Sequence, residues 1–223
     1  MSRKSSLDPR RVREEIAIAA ARMIAEDGLD YSSAKRKAAK QIVGATRLSG
    51  EWLPDNDHLE DEIREYQAIF QGETQPLVLQ ALRRIALDWM KRLAQFNPYL
   101  TGAVLNGTAG VHSDIHLQLF CDSTKDVSIF LLNAGVDYAV TEARHFAGRA
   151  PVEMLNFLAP QRDAESVALG LAQVGVCLAL YALDDLRGAL RTDGRGLPVR
   201  ATAVYLASLL NPPAPTAPAP AAS

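Results

Sequence analysis

The hydrophobic pattern changes its period at Asn97-Pro98, and this change limits which folds the chain can adopt. Before this point apolar residues recur at helical spacing, most regularly over residues 74–96. After it, apolar and polar residues alternate, as over residues 114–121, and this alternation is typical of β-strands. A helical N-terminal half is therefore expected to precede a segment that contains strands.

Four helices are predicted before Pro98. The first has an N-cap followed by proline at Asp8-Pro9, and Gly28 is placed to end it. Residues 45–57 resemble a polar linker, because they combine glycine, proline and several charged residues. The remaining helices are expected over residues 32–43, 58–70 and 74–96.

The residues after Pro98 predict an α+β core with flanking helices. Strands are expected over residues 101–107, 114–121, 136–143 and 151–158, with one helix over residues 125–134. Residues 163–191 and 198–210 have the composition of helices. The predicted organisation is a helical N-terminal region (1–97), an α+β core (98–160), C-terminal helices (161–211) and a disordered tail rich in proline and alanine (212–223).

Charge and hydropathy exclude two classes of protein. A formal charge of -2 argues against a protein that coats nucleic acid through bulk charge, although residues 1–50 hold eleven Lys/Arg against six Asp/Glu. The longest apolar run, residues 167–183, is short for a membrane span, so a buried helix and no membrane association are expected. Cys121 and Cys177 lie in apolar runs, which predicts packed free thiols and a reducing, cytoplasmic location.

The segment from Leu105 to Leu117 carries the chemistry that the sequence suggests. On a strand, Asp114 and His116 point to one side, away from the apolar side chains that alternate with them. The glycine-containing turn at residues 107–110 precedes them directly. Two metal-binding side chains beside such a turn could hold an ion next to a phosphate group.

This pattern resembles the polymerase-beta-like nucleotidyltransferase superfamily, in which an apolar strand, a Gly-Ser or Gly-Gly turn and an Asp-x-Asp pair precede a third carboxylate. The resemblance implies a small mixed sheet of that type, a nucleoside triphosphate held at the turn by Gly107, Thr108, Gly110 and Ser113, and divalent cations held by three carboxylates. Residues 120–158 further resemble the head domain of tRNA-terminus-adding nucleotidyltransferases. That likeness implies that Asp114 is the first catalytic carboxylate and Glu153 the third.

The chain departs from the family at the second carboxylate, where His116 stands. The resemblance therefore implies a metal site formed by Asp114, His116 and Glu153, with Mg²⁺ or Mn²⁺ as its cation. Mg²⁺ prefers hard oxygen ligands, whereas Mn²⁺ or Zn²⁺ also accepts imidazole. Weak or lost transfer of nucleotide to an RNA or protein acceptor is expected. The chain is also similar to uncharacterised bacterial nucleotidyltransferase-like proteins with a YQ-x-x-F-Q segment, here residues 66–71, whose activity is not established.

Other interpretations remain open. The same fold could serve a nucleotide or RNA sensor without catalysis, Asp114 could cap a turn, and Glu153 could pair with a nearby arginine. Residues 10–44 resemble the first two helices of a TetR-type repressor, but a polar linker and an acidic helix stand where a recognition helix should follow. The sequence predicts no oligomeric state.

Overall fold

The computed structural model describes residues 8–44 and 52–211, which form nine helices and one five-stranded sheet. The predicted α+β class is confirmed, with helices at both ends of this part of the chain. Residues 45–51 of the linker predicted over residues 45–57 lie outside the described residues, as does the predicted tail at 212–223. The end of the predicted linker is instead helical, because a helix begins at Asn56.

An aspartate caps the first turn of three of the four N-terminal helices. The four helices are α1 (Pro9–Asp27), α2 (Tyr31–Val43), α3 (Asn56–Phe70) and α4 (Gln75–Arg92). The Asp8 side chain accepts a hydrogen bond from the Arg10 N–H at the start of α1, and Gly28 ends that helix in the left-handed conformation. These local signals suffice here because each satisfies backbone groups that the helix itself leaves unpaired.

Helices α1 to α3 share a small hydrophobic core of their own. Ile16 of α1 and Leu59 and Ile63 of α3 are fully buried in it. Alanines such as Ala20 and Ala38 also lie there, and their small side chains allow the helices to approach closely. The N-terminal helices therefore form a packed unit rather than an extended arm.

The sheet has the strand order β1-β2-β5-β4-β3. Its strands are β1 (Pro98–Thr101), β2 (Ile115–Cys121), β3 (Ala139–Ala143), β4 (Val152–Pro160) and β5 (Gln173–Ala182). Only the β2–β5 pair is parallel, and the other neighbours are antiparallel. The remaining helices are α5 (Ala103–Asn106), α6 (Thr124–Asn133), α7 (Ala164–Ala168), α8 (Leu186–Ala189) and α9 (Ala203–Leu210).

The main core lies on one face of this sheet, beneath α4, α6 and α9. Leu117 and Leu178, neighbours on β2 and β5, are buried there, and the Trp89 ring of α4 lies 4.7 Å from that of Phe157. Side chains alternate along a strand, so the residues between these core positions point to the opposite face. Asp114 and His116 belong to that opposite face, at the beginning of β2.

Two secondary-structure predictions are wrong. The predicted helix over 163–191 contains β5, the central strand, whose apolar run is buried; periodicity alone does not distinguish such a run from a buried helix. The predicted strand at 101–107 is instead the end of β1, Gly102 and α5. The core segment therefore extends beyond residue 160, because β5 supplies its middle. Among the described helices, none has the length and apolar character needed to cross a membrane.

Candidate functional site

A cleft of about 560 Å³ separates the N-terminal helices from the β1–β2 side of the sheet. One wall comes from the beginning of α2 and the first turns of α3, including Tyr31 and Glu60. The opposite wall contains Gly102, Asp114 and His116. The side chains that the sequence singled out on β2 therefore lie in a concave site between two separately packed parts of the molecule.

Asp114 and His116 converge with a third side chain, Cys177. One ligand atom from each of the three lies within 4.8 Å of the other two. The parallel register places Cys177 beside His116 and therefore Gly175 beside Asp114. The three side chains share one face because successive residues of a strand point to opposite sides. Asp114 and His116 are thus brought together as predicted, with a thiol beside them.

Gly175 makes the position of Asp114 possible. A Cβ at residue 175 would lie 2.0 Å from Asp114 Oδ1 and 2.7 Å from its Cγ. Real atoms do not approach so closely, so the Asp114 carboxylate occupies space that only a glycine leaves free. The strand residue opposite Asp114 therefore determines where this carboxylate lies.

The surroundings shift the pKa values of the two side chains beside Asp114. Desolvation lowers the pKa of His116 below its usual value, and the Asp114 carboxylate only partly opposes this effect. Burial raises the pKa of Cys177 to about 12, with Asp114 contributing in the same direction. The Cys177 thiol points at Asp114 Oδ2 across 3.9 Å as a weak donor. At neutral pH the site therefore offers an imidazole lone pair and a thiol that a metal would deprotonate.

The lining of the cleft is acidic. It contains two histidines and no lysine or arginine among the described residues. Its five carboxylate side chains are Asp30, Asp57, Glu60, Asp114 and Asp193. Several negative charges in a concave site raise the free energy of any anion that enters it. A phosphate group is therefore expected to bind here only together with cations.

Glu153 does not belong to this cluster, so the predicted convergence of Asp114, His116 and Glu153 is wrong. Asp114 lies level with Gly175 of β5, whereas the β4–β5 register places Glu153 level with Leu180. Five residues of strand separate these levels, on the order of 16 Å along the sheet. Glu153 shares the strand face of the β4 core residues Leu155 and Phe157 and therefore points to the face opposite Asp114. Its cross-strand neighbour is Glu142.

The turn at residues 107–110 does not form an open phosphate cradle, contrary to the sequence prediction. Two of its four N–H groups donate to the Ala103 carbonyl, at 3.0 and 3.2 Å. The Thr108 N–H donates to Asn106 Oδ1, and the Gly110 N–H donates to the Ser113 hydroxyl. With all four donors used within the chain, the turn has none left for a phosphate group. Of the predicted phosphate contacts, only Ser113 lines the cleft.

Two glutamines hold this turn against the helices. Gln67 of α3 is buried and donates to the Thr108 carbonyl at 2.8 Å. The Gln75 amide donates to the carbonyls of Gly107 and Ala109. Gln71 donates to the Ala25 carbonyl near the end of α1. The glutamines of the YQ-x-x-F-Q segment therefore have a structural role, because Gln67 satisfies a carbonyl of the turn and Gln71 satisfies a carbonyl of α1.

The glycine turn that faces the cleft is Gly102-Ala103, which follows β1 directly. Gly102 has a φ of 72° and lies beside the His116 ring, where an added Cβ would be 3.7 Å from His116 Cδ2. The end of an apolar strand before a glycine was the available signal for this turn. It was missed because residues 101–107 were assigned to a strand.

Cys177 was missed for a different reason. It lies 63 residues after Asp114 in sequence, within an apolar run assigned to a helix. A strand assignment would have placed Cys177 on the side of β5 opposite Leu178, but no local pattern predicts that β5 pairs with β2. The contact is thus a product of sheet topology.

Three of the four basic residues of α2 have partners within the N-terminal helices. Lys35 Nζ donates to Asn56 Oδ1 at 2.8 Å, and Lys37 Nζ lies 3.8 Å from Asp27 Oδ2. Arg36 donates to the Ser33 hydroxyl. These contacts suit a solvated helix face.

Comparison with protein-family models, with curated proteins and with solved structures finds no match to this chain.

Proposed function

We propose that this chain is a nucleotidyltransferase-like protein that binds a divalent cation and a nucleoside triphosphate in the cleft, with weak or lost Mg²⁺-dependent transfer. The observation that carries the proposal is the convergence of Asp114, His116 and Cys177 at the beginning of β2. A cleft of about 560 Å³ is also within the size range of small-molecule sites.

The donor set favours a borderline cation. One carboxylate oxygen, one imidazole nitrogen and one sulfur suit Zn²⁺ and, less well, Mn²⁺, whereas Mg²⁺ prefers oxygen ligands at near-octahedral geometry. A bound cation would neutralise phosphate charge and polarise the phosphoryl group. Asp114 supplies one negative charge, and the Cys177 thiolate would supply a second when a cation is bound. His116 donates a lone pair because its lowered pKa keeps it neutral, and Gly102 leaves room beside it.

A non-catalytic nucleotide sensor is the alternative, and the donor set also favours it. Only one of the three converging groups is a carboxylate, whereas two-metal transfer requires several anionic ligands between ions about 3.5–4 Å apart. The acidic lining disfavours an RNA strand, because its phosphates would meet five carboxylates. No contact of the described residues favours the DNA-binding alternative.

Calorimetric titration with ATP tests the binding part of the proposal. We expect binding with Zn²⁺ or Mn²⁺ present, loss of binding in EDTA, and loss in the Asp114→Ala variant. Gly110→Ala is the matched control, because it alters the 107–110 turn while its added Cβ meets no atom within 4 Å. ATP binding that survives both EDTA and Asp114→Ala, or that fails in Gly110→Ala, would contradict a cation-dependent site in the cleft.

Radiolabelled nucleoside triphosphates with pooled RNA and protein acceptors test the transfer part. We expect little or no Mg²⁺-dependent labelling by the natural protein, because His116 replaces a hard anionic ligand. Strong labelling that disappears in Asp114→Ala would show that the donor set suffices for transfer with Mg²⁺.

A further inference from the structure

A second group of metal-binding side chains lies between α1 and α3, outside the cleft lining. His58 and Glu62 are one helical turn apart on α3, and Glu14 approaches them from α1. His58 Nε2 lies 3.1 Å from Glu14 Oε2 and 3.8 Å from Glu62 Oε1. One ligand atom from each of the three lies within 4.8 Å of the other two.

These separations suit a tetrahedral cation. Zn²⁺ binds nitrogen and oxygen ligands at about 2.0–2.2 Å, so two ligand atoms of a tetrahedral site lie roughly 3.4 Å apart. The two separations from His58 Nε2, 3.1 and 3.8 Å, lie on either side of that value. Modest rotations of the Glu14 and Glu62 side chains would bring all three ligands to one centre.

The electrostatics also favour a cation between these groups. Burial raises the pKa of Glu62, and the nearby carboxylates of Glu14, Glu65 and Asp61 act in the same direction, while His58 opposes them. The Glu62 side chain is only 15% exposed, so the solvent screens this repulsion incompletely. A dication held by both glutamates would offset the repulsion between their carboxylates.

We propose that Glu14, His58 and Glu62 form a second divalent-cation site, of the Zn²⁺ class, that joins α1 to α3. Two carboxylates and one imidazole provide three protein ligands, and the partly exposed position allows water to complete the coordination. The site fixes the first turns of α3, where Asp57 and Glu60 line the cleft. Its occupancy therefore stabilises the N-terminal helices and one wall of the cleft.

Thermal unfolding with added Zn²⁺ tests this site, using full-length protein with Asp114→Ala as the background so that the cleft cluster does not contribute. At a hundredfold excess over Kd, we expect the melting temperature to rise by about 5–10 °C. His58→Ala and Glu62→Gln should each abolish most of this rise. Glu65→Gln is the matched control, since it removes an equal charge from α3 without removing a ligand, and it should keep the rise.

Titration with Co²⁺ distinguishes the two sites, because only the cleft cluster contains a thiol. We expect Co²⁺ at the new site to give visible d–d bands without a sulfur-to-cobalt charge-transfer band, and His58→Ala should remove these bands. Zn²⁺ stabilisation that is unchanged by both His58→Ala and Glu62→Gln would overturn the proposal. Equal loss in Glu65→Gln would also overturn it, because the response would then follow helix charge alone.

Discussion

Replacing Gly175 with alanine isolates the contribution of Asp114 to the cleft site. The added Cβ would lie 2.0 Å from Asp114 Oδ1, whereas ordinary contact begins near 3.4 Å. The carboxylate must therefore move by roughly 1.4 Å, either by rotation or by a shift of β2 relative to β5. Metal sites tolerate ligand displacements of only about 0.2 Å, so this movement should remove Asp114 from the coordination sphere.

The stability cost should be small compared with the effect on metal binding. Asp114 is exposed to the cleft, so its side chain has space to rotate, at a cost of about 0.5–1.5 kcal/mol for a non-ideal rotamer. That cost corresponds to a fall in melting temperature of roughly 2–5 °C for a chain of this size. Displacing a ligand should weaken Zn²⁺ binding by at least about 10–100-fold, as loss of groups that orient a ligand does.

Competition with a chromophoric chelator measures the Zn²⁺ affinity, in a His58→Ala background that removes the site between α1 and α3. Gly110→Ala serves as the control, because its Cβ meets no atom within 4 Å and should leave the affinity unchanged. A Gly175→Ala variant that binds Zn²⁺ within about twofold of this control would refute the reasoning. Asp114 would then not hold the cation.

Four further predictions follow from the same geometry. His116→Asp should raise the affinity for Mg²⁺ and Mn²⁺ and slightly lower the stability of the metal-free protein, because two carboxylates would then share one strand face. Thermal melts across a Mn²⁺ titration measure both effects, and equal metal responses of the variant and the natural protein would contradict this prediction. Cys177→Ser should weaken Zn²⁺ binding more than Mn²⁺ binding, because sulfur favours the softer cation. Competition titrations compare the affinities for the two cations, and an equal change in both affinities would count against a thiolate ligand. Because the pKa of His116 is lowered in the folded protein, the unfolded chain binds a proton at His116 more readily. The stability that this group contributes is therefore complete above about pH 6.5 and is lost as the pH falls through the lowered pKa of the folded state. Thermal melts between pH 7 and 5 should show a smaller decline in stability for His116→Gln than for the natural protein, and an equal decline would contradict this prediction. Gln67→Ala should lower the free energy of unfolding by about 1–3 kcal/mol, because the buried Thr108 carbonyl loses its hydrogen-bond donor. The Zn²⁺ affinity of the cleft should stay unchanged. Urea denaturation measures the stability and chelator competition measures the affinity, and a loss of Zn²⁺ affinity would show that the turn serves the site.

Much of the N-terminal half was predictable because its signals are local. Asp8 and Gly28 delimit α1 by satisfying or terminating the backbone of the same helix, within a few residues of sequence. The alternation over β2 likewise separated the core side chains from Asp114 and His116. Which side chains share a strand face follows from the two-residue repeat of the extended backbone alone. The sequence therefore placed these two side chains on the same face.

The rest depended on which strands become neighbours. The apolar run of β5 is compatible with a buried helix, and only its burial between β2 and β4 makes it a strand. The β4–β5 register then places Glu153 away from Asp114. The position of Glu153 in the sequence nevertheless fits the third carboxylate of the family that the sequence resembles.

The sequence by itself therefore determined the ends of α1, the class of the fold and the shared face of Asp114 and His116. Each of these follows from dihedral preference and side-chain period, which act over a few residues. The tertiary structure alone decided that Cys177 and Gly175 lie beside them, because pairing between β2 and β5 brings Asp114 and Cys177, 63 positions apart, into contact. Such pairing depends on how the whole sheet buries its apolar face, and no local pattern encodes that choice.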